Sequence, residues 1–285
     1  MNAILTDLYQ LTMAAGYWQS GKASEVATFE LFARRLPPHR NFLVAAGLAQ
    51  AVEYLLNLRF TEEELAYLRK LPQFRSAGEG FFQMLSEFRF TGDVFAVPEG
   101  TPVFAGEPIL TVRAPLLEAQ IPETYLLAMV GFQSLIATKA ARMVESAAGR
   151  AVVEFGTRRA HGPEAGVLAG RAAFVGGCTG TSNTLSGMKY GIPVFGTAAH
   201  SWVQSFASET EAFARLYELL GPATTFLIDT YDTLEGARLA TQLGKPFWGV
   251  RLDSGDLAAL SKAVRAILDS AGFPEAKIMA TGDLN

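Results

Sequence analysis

Five short segments carry most of the reactive side chains: EFGTRRAHG at 154–162, GGCTGTSNT at 176–184, GTAAHS at 196–201, DTYDT at 229–233 and VRLDSGDL at 250–257. Each joins small residues to one or two charged or hydroxyl groups. Small residues let backbone N–H groups approach a ligand closely, and turns of this composition form anion nests. One such segment says little, but five in succession, each after an expected strand, form a pattern. Within it His200 is the sharpest single residue, set in Thr197-Ala198-Ala199-His200-Ser201. Imidazole is largely neutral at cell pH and therefore nucleophilic. Taken alone, such a histidine is more often a core or capping residue. His161 reads better as a loop hydrogen-bonding residue, and His39 as a solvated or phosphate-edge residue in a Pro-rich loop.

Asp229, Asp232, Asp253 and Asp256 follow apolar runs. Paired carboxylates near phosphates hold Mg²⁺ or accept from ribose hydroxyls. Asp229 and Asp253 are read as substrate or metal contacts. For Asp232 and Asp256 helix capping competes, and it is preferred for Asp256. Arg34 and Arg35 either meet a pyrophosphate or belong to a solvated basic loop. Cys178 has no base beside it in sequence and reads as a small buried residue. The histidines and the cysteine lack zinc-ligand spacing, and no GxxxxGK[ST] turn is present.

These groups need elements to position them. Residues 5–20 read as a helix with an apolar stripe of Leu8, Leu11, Ala15 and Trp18, capped by Thr6 or Asp7. Glu25 to Phe32 alternates like a strand. Leu43–Leu58 and Thr61–Lys70 read as helices, the second opening on a Thr61/Glu64 capping box. From Phe88 to Ile121 the chain is Val-rich and broken by Gly and Pro, an antiparallel β region with tight turns. Pro122 to Ser146 is a long helix. Beyond Gly149, strands are expected at Ala151–Phe155, Ala173–Gly177, Val194–Gly196, Thr225–Asp229, Phe247–Leu252 and Lys277–Ala280. Alternation with helical stretches implies a parallel sheet with crossover helices. Functional residues just after several strands suggest a β/α barrel, with an open doubly wound sheet as the alternative. The last strand has no covering helix before Asn285, so the barrel is expected to be incomplete at that end.

The whole chain sets bounds. It has 285 residues, 49% hydrophobic and 18% charged, a globular composition with a substantial core. A net charge of -4 argues against a main role in gripping nucleic acid. A lone cysteine forms no internal disulfide, so no oxidising compartment is needed. The N-terminus lacks the basic run of a signal or transit peptide. No apolar run reaches the ~18 residues that span a bilayer. A cytoplasmic protein without a membrane partner is the expectation.

TDLYQLTMA near the N-terminus, EFGTRRAHGPEAG, GTSNTLSGMKYGIPVFGTAAHS, IDTYDTLEGA and GVRLDSGDLAALS resemble the successive signatures of the nicotinate phosphoribosyltransferase family. The resemblance runs from Thr6 to the end of the chain. It implies an α/β type II phosphoribosyltransferase fold: an N-terminal α/β and β-rich domain at 1–125 and an irregular β/α barrel domain at 126–285. It also implies a homodimer with shared active sites. The reaction implied is condensation of nicotinate with phosphoribosyl pyrophosphate, with Mg²⁺, coupled to ATP turnover through phosphorylation of His200. In the family, residues matching Tyr9, Thr197 and Arg251 bind nicotinate, Tyr9 from across the dimer interface.

The residue types agree with that chemistry. A flat aromatic carboxylate needs a stacking surface and a cationic or hydroxyl clamp. Phe155 and Tyr9 offer the first; Arg158, Thr197 and Arg251 offer the second. For Tyr9 and Phe155 a purely structural role remains open. Nicotinamide phosphoribosyltransferases resemble this chain but place Asp where Ser182 stands. Ser182 removes the repulsion a substrate carboxylate would meet there. Family members continue past GDL into a Gly-rich turn that holds the 5′-phosphate, expected outside this chain. A quinolinate-type phosphoribosyltransferase and a truncated binding homologue are the alternatives. The first would want more basic residues at the strand ends.

Overall fold

The computed structural model describes residues 2–282 and Leu284; the expectation attached to Asn285 lies outside the described residues. The chain divides into two compact units, Met1–Val194 and Phe195–Asn285.

The first unit opens with α1 (Leu8–Gln19) and β1 (Val26–Phe32), then β2 (Leu43–Val44), α2 (Leu48–Asn57), α3 (Glu62–Lys70) and α4 (Glu79–Ser86). It continues through β3 (Asp93–Ala96), β4 (Pro102–Val103), β5 (Pro108–Pro115), α5 (Leu116–Gln120) and α6 (Glu123–Ser146). β1, β5 and β3 form an antiparallel sheet in that order, and β2 pairs with β4. One core joins these strands to the helices, and in it Tyr54, Phe81, Leu65 and Leu110 are fully buried. α3 starts where its capping box says: Thr61 accepts from the Glu64 amide while the Glu64 carboxylate accepts from Thr61 N.

Two expectations about this region are corrected. The run from Leu43 is not helical from its start. Leu43 and Val44 form β2, and the helix begins only after Gly47, which takes φ 90°. A side chain at that glycine would meet the Met129 carbonyl at 2.7 Å. Nor do Thr6 and Asp7 cap α1 through their side chains. Thr6 donates to the Ile121 carbonyl, and the Asp7 carboxylate accepts from Thr124. A tertiary partner has won over the local one.

The rest of the unit is β6 (Val153–Glu154), α7 (Pro163–Val175), β7 (Gly180–Thr181) and α8 (Thr184–Tyr190). β6 and β7 are parallel, and Val194 bridges to Thr181. The strand expected at Ala173–Gly177 is instead the C-terminal end of α7 and the turn after it, and that expected at Val194–Gly196 is reduced to the Val194 bridge. A short apolar run does not distinguish strand from buried helix by periodicity. Here small residues decide: α7 packs closely on α6, and a side chain at Gly176 would collide with the Ala137 carbonyl. Arg171, which interrupts the apolar run of α7, pairs with Glu99 at 2.5 Å. Glu99 also accepts from the amides of Gly47 and Leu48. Burial opposes its ionisation, but Arg171 and those amides hold its carboxyl below the usual range.

The second unit runs α9 (His200–Gln204), α10 (Glu209–Leu220), β8 (Thr225–Leu227), α11 (Thr233–Gln242), β9 (Gly249–Leu252), α12 (Leu257–Ser270) and β10 (Lys277–Ala280). The strands pair in parallel, in the order β10-β9-β8. Strand-helix-strand alternation is what produces this. β8 and β9 supply Phe226, Val250 and Leu252 to a second core with Phe213, Ala237 and Val264. The chain is thus of the mixed α/β class expected. Among the described residues, no helix is long and apolar enough to cross a membrane.

Candidate active site

The carboxyl ends of β8, β9 and β10 and the turn before α9 bring together Thr197, His200, Asp229, Arg251 and Asp253. Arg251 is the hub. It sits in β9, so its Cα position is fixed by two neighbouring strands. Its Nε donates to Thr281 Oγ1 at 2.8 Å, after β10. One terminal nitrogen donates to Thr197 Oγ1 at 2.9 Å and the Ala198 carbonyl at 3.3 Å, and the other to Asp253 Oδ1 at 2.5 Å. A planar fork with several fixed donors suits this linkage, and an ammonium would not replace it.

Asp253 is held by Arg251 and by the Thr281 hydroxyl, which also donates to it. Burial works against its ionisation. The Thr281 and Arg251 hydrogen bonds and the charges of Arg251 and His200 outweigh burial, so the carboxyl lies below its ordinary range. Asp229 is almost wholly buried, its side chain 1% exposed. Its Oδ2 accepts from the Asp253 amide at 2.8 Å and the Ser254 hydroxyl at 2.7 Å, which anchors the turn after β9 to the end of β8. Its Oδ1 is buried and has no hydrogen-bond partner among the described residues.

His200 is the first residue of α9 and is partly exposed. Its Nδ1 lies 3.2 Å from Thr230 Oγ1. Its Nε2 lies 3.5 Å from Asp253 Oδ2 and 4.0 Å from Asp229 Oδ1. A reachable imidazole backed by two carboxylates and steadied by a hydroxyl is equipped to accept an electrophile and release a proton. Asp232 and Asp256 are helix caps, accepting from the Glu235 amide at 2.8 Å and the Ala259 amide at 3.0 Å.

In the first unit, Phe155 and Ser182 follow directly on the paired ends of β6 and β7, since Glu154 is in register with Thr181. The Ser182 amide donates to the Glu154 carbonyl at 2.8 Å, which sets Ser182 beside the end of β6. The Glu154 carboxylate accepts from Thr181 Oγ1 at 2.6 Å. Asn183 caps α8 through its Oδ1 and donates from Nδ2 to Thr157 at 3.1 Å, tying the two post-strand loops together. Phe155 is partly buried, Arg158 is exposed, and Tyr9 is 49% exposed on α1. Arg34 and Arg35 are exposed in their loop, and His161 is exposed after β6. Cys178 is buried, and burial, then the Glu154 charge, push its thiol up to about 11, an inert state.

Sequence reasoning missed Thr230, Ser254 and Thr281. Thr281 carried a usable signal, a hydroxyl directly after an expected strand, in the same pattern as the other segments. Among the described residues no group of three or more His, Cys, Asp or Glu is placed to hold a metal ion.

Residues 4–131 match the family model described as the nicotinate phosphoribosyltransferase (NAPRTase) N-terminal domain, and residues 151–281 that of the NAPRTase family. The chain is 51% identical to a nicotinate phosphoribosyltransferase of Mycobacterium tuberculosis, over 100% of this chain and 62% of that protein. It is 46% identical to one of Bacillus subtilis, over 98% of this chain and 58% of that protein. It therefore spans about three fifths of the length of these curated relatives. The crystal structure of human nicotinic acid phosphoribosyltransferase is similar with a TM-score of 0.87 at 33% identity, covering 97% of this chain and 68% of that one. A nicotinate-nucleotide pyrophosphorylase from Pyrococcus furiosus follows at 0.82 and 26%, covering 99% and 66%.

Proposed function

Because the chain belongs to the nicotinate phosphoribosyltransferase family, we propose that it serves the condensation of nicotinate with phosphoribosyl pyrophosphate to nicotinate mononucleotide and pyrophosphate, coupled to ATP turnover. The observation that carries this reading is the Arg251 hub, with Thr197 and Asp253 bound to it and His200 beside Asp253. Arg251 and Thr197 hold the substrate carboxylate, with Arg158 as a further cation. Phe155 and Tyr9 supply stacking faces, and Ser182 leaves the carboxylate unopposed.

In the glycosyl step pyrophosphate leaves, the ribosyl carbon becomes oxocarbenium-like, and the pyridine nitrogen attacks it. Positioning and charge stabilisation dominate such a step. Mg²⁺ enters with the phosphates as part of the substrate, consistent with a hard cation that keeps its waters and binds through pyrophosphate oxygens. In the coupling step the imidazole of His200 takes the γ-phosphoryl group of ATP. The bond from phosphorus to the ADP oxygen breaks as the bond to nitrogen forms, and the ring proton passes to a neighbouring carboxylate. Asp253, 3.5 Å away, supplies that acceptor, and Asp229 anchors the turn that carries it.

The division into a domain at 1–125 and one at 126–285 belongs to the same proposal and is supported by family matches at 4–131 and 151–281. So do a homodimer with shared sites and a cytoplasmic location. The test is mononucleotide formation from labelled nicotinate with phosphoribosyl pyrophosphate, Mg²⁺ and ATP, with nicotinamide in parallel, on this chain and on a longer form matching its relatives' length. Product from nicotinate alone supports the reading. His200→Ala is expected to abolish nicotinate-dependent ATP hydrolysis with the fold intact by circular dichroism; surviving coupled hydrolysis rejects the phosphohistidine.

A further inference from the structure

The residues of the first unit that are assigned to the substrate ring lie on two short loops, and one side chain is bound to both. Phe155 lies between Glu154 and Gly156, and Glu154 Oε1 accepts from the Gly156 amide. Glu154 Oε2 accepts from Thr181 Oγ1 at 2.6 Å, on the neighbouring strand β7. The Glu154 carbonyl accepts from the Ser182 amide at 2.8 Å. Ser182 in turn lies between Thr181 and Asn183, whose amide donates to Thr181 Oγ1 at 3.0 Å. Gly156 opens the single 3₁₀ turn Thr157–Arg159 that carries Arg158, and Asn183 Nδ2 donates to Thr157 Oγ1 at 3.1 Å. α7 closes the network from behind. A side chain at Gly170 would meet Ser186 Oγ at 2.7 Å and Thr181 Oγ1 at 3.0 Å, and one at Gly166 would meet the Thr157 methyl at 2.9 Å. Thr181 and Ser186 are fully buried.

Both groups bound to the Glu154 side chain are donors, an amide and a hydroxyl, so the position needs an acceptor with two oxygens. The Thr181 hydroxyl has one proton, committed to Glu154, and its oxygen accepts from Asn183. We propose that Glu154 is a positioning residue for the nicotinate pocket: its carboxylate, bound to both post-strand loops, sets the spacing of Phe155 and Arg158 on one and Ser182 on the other. This rests on reading those three residues as nicotinate contacts. With both oxygens engaged inside the protein, Glu154 acts through the loops rather than on the ring. A flat ring held from two loops is sensitive to their spacing, since a misplacement of about 1 Å costs on the order of 100-fold in a reacting system. Glutamine in place of Glu154 retains one oxygen for the Gly156 amide. Its own N–H can turn to Thr181 Oγ1, which has a second acceptor position. The bridge therefore survives loss of the charge but not loss of the side chain.

The test compares the full chain with Glu154→Ala and Glu154→Gln by steady-state kinetics and by amide hydrogen exchange read on peptides. Alanine leaves the Gly156 amide and the Thr181 hydroxyl without their acceptor. It is expected to raise KM for nicotinate roughly 10-fold, with KM for phosphoribosyl pyrophosphate within about twofold of wild type. Glutamine is expected to return KM for nicotinate to within about threefold of wild type. Peptides over 155–162 and 181–187 should exchange several-fold faster in the alanine variant and recover in the glutamine variant, while those over 225–229 and 249–252 stay unchanged. Wild-type kinetics in Glu154→Ala, or an equal rise in both KM values, overturns the proposal. So does a glutamine variant as impaired as the alanine one, which would show that charge acts rather than bridging. Faster exchange throughout the chain also overturns it, since Glu154 would then serve stability alone. Where the alanine variant fails to fold, Thr181→Val removes the same bond with the volume kept, and Thr181→Ser retains the hydroxyl. Serine is expected to restore KM for nicotinate, and equal KM values in these two variants overturn the proposal. A wild-type chain that shows this exchange pattern without turning over nicotinate would instead reject the nicotinate reading and leave the bridge between the loops in place.

Discussion

Arg251 owes its orientation to groups from separated stretches of chain: Thr197 and Ala198, Asp253, and Thr281. A lysine would keep the charge but not the fork. Arg251→Lys is therefore expected to raise KM for nicotinate and lower kcat/KM roughly 10- to 100-fold, the effect of losing one or two charge-assisted hydrogen bonds at ~1.5–3 kcal/mol. Steady-state kinetics decide it, and an unchanged KM removes Arg251 from the carboxylate clamp. Ser182 poses the opposite question, because its proposed role depends on a charge that is absent. Ser182→Asp should lower kcat/KM for nicotinate by at least ~10-fold, since a like charge facing a carboxylate costs energy. Nicotinamide competition should improve. The backbone there is fixed by Glu154, so the effect should be electrostatic and should shrink at acid pH.

Among the elements, close packing positions the site. α11 lies so near the end of β8 that a side chain on Gly236 would collide with the Ile228 carbonyl, one residue before Asp229. Gly236→Ala must push the helix off the strand end that carries Asp229. It is expected to cost ~1–3 kcal/mol, the usual range for overpacking, and to lower activity as well. Gly16→Ala in α1 is the control: nothing lies within 4 Å, so it should be neutral or stabilising by up to ~1 kcal/mol. Urea midpoints of the two variants check the contrast. Capping matters in the same way. Asp232 and Asp256 begin helices directly after the site loops, so these acids of the DTYDT and LDSGDL segments fix geometry for their neighbours.

For the whole molecule, buried charge makes stability depend on pH in two opposed ways. The Glu209 carboxyl is raised to about 7, so the folded chain binds a proton that the unfolded chain has already released. Stability therefore falls as pH rises from the ordinary carboxylate range toward about 7, and levels off above it. Asp253 is depressed, so its contribution is present above its unfolded value and is lost as pH falls through its folded one. Glu209→Gln should gain thermal stability over wild type at pH 8 but not at pH 5; an equal shift at both would show packing rather than charge. Local sequence was enough to specify the α/β class, the long helix Pro122–Ser146, the Thr61/Glu64 capping box and the parallel strands around 225, 250 and 277. These rest on periodicity and capping, which neighbouring residues fix. The hydroxyl-and-charge segments also marked His200, Arg251 and Asp253. Long-range packing settled that the run at Ala173–Gly177 ends a helix, that Asp7 turns from its cap to Thr124, and that Thr230 and Thr281 steady His200 and Arg251. It also settled that Glu209 is buried. Each of those outcomes depends on a partner distant in the chain, and a hydrogen bond, a desolvated charge or a close backbone approach exists only once the fold has brought the two together.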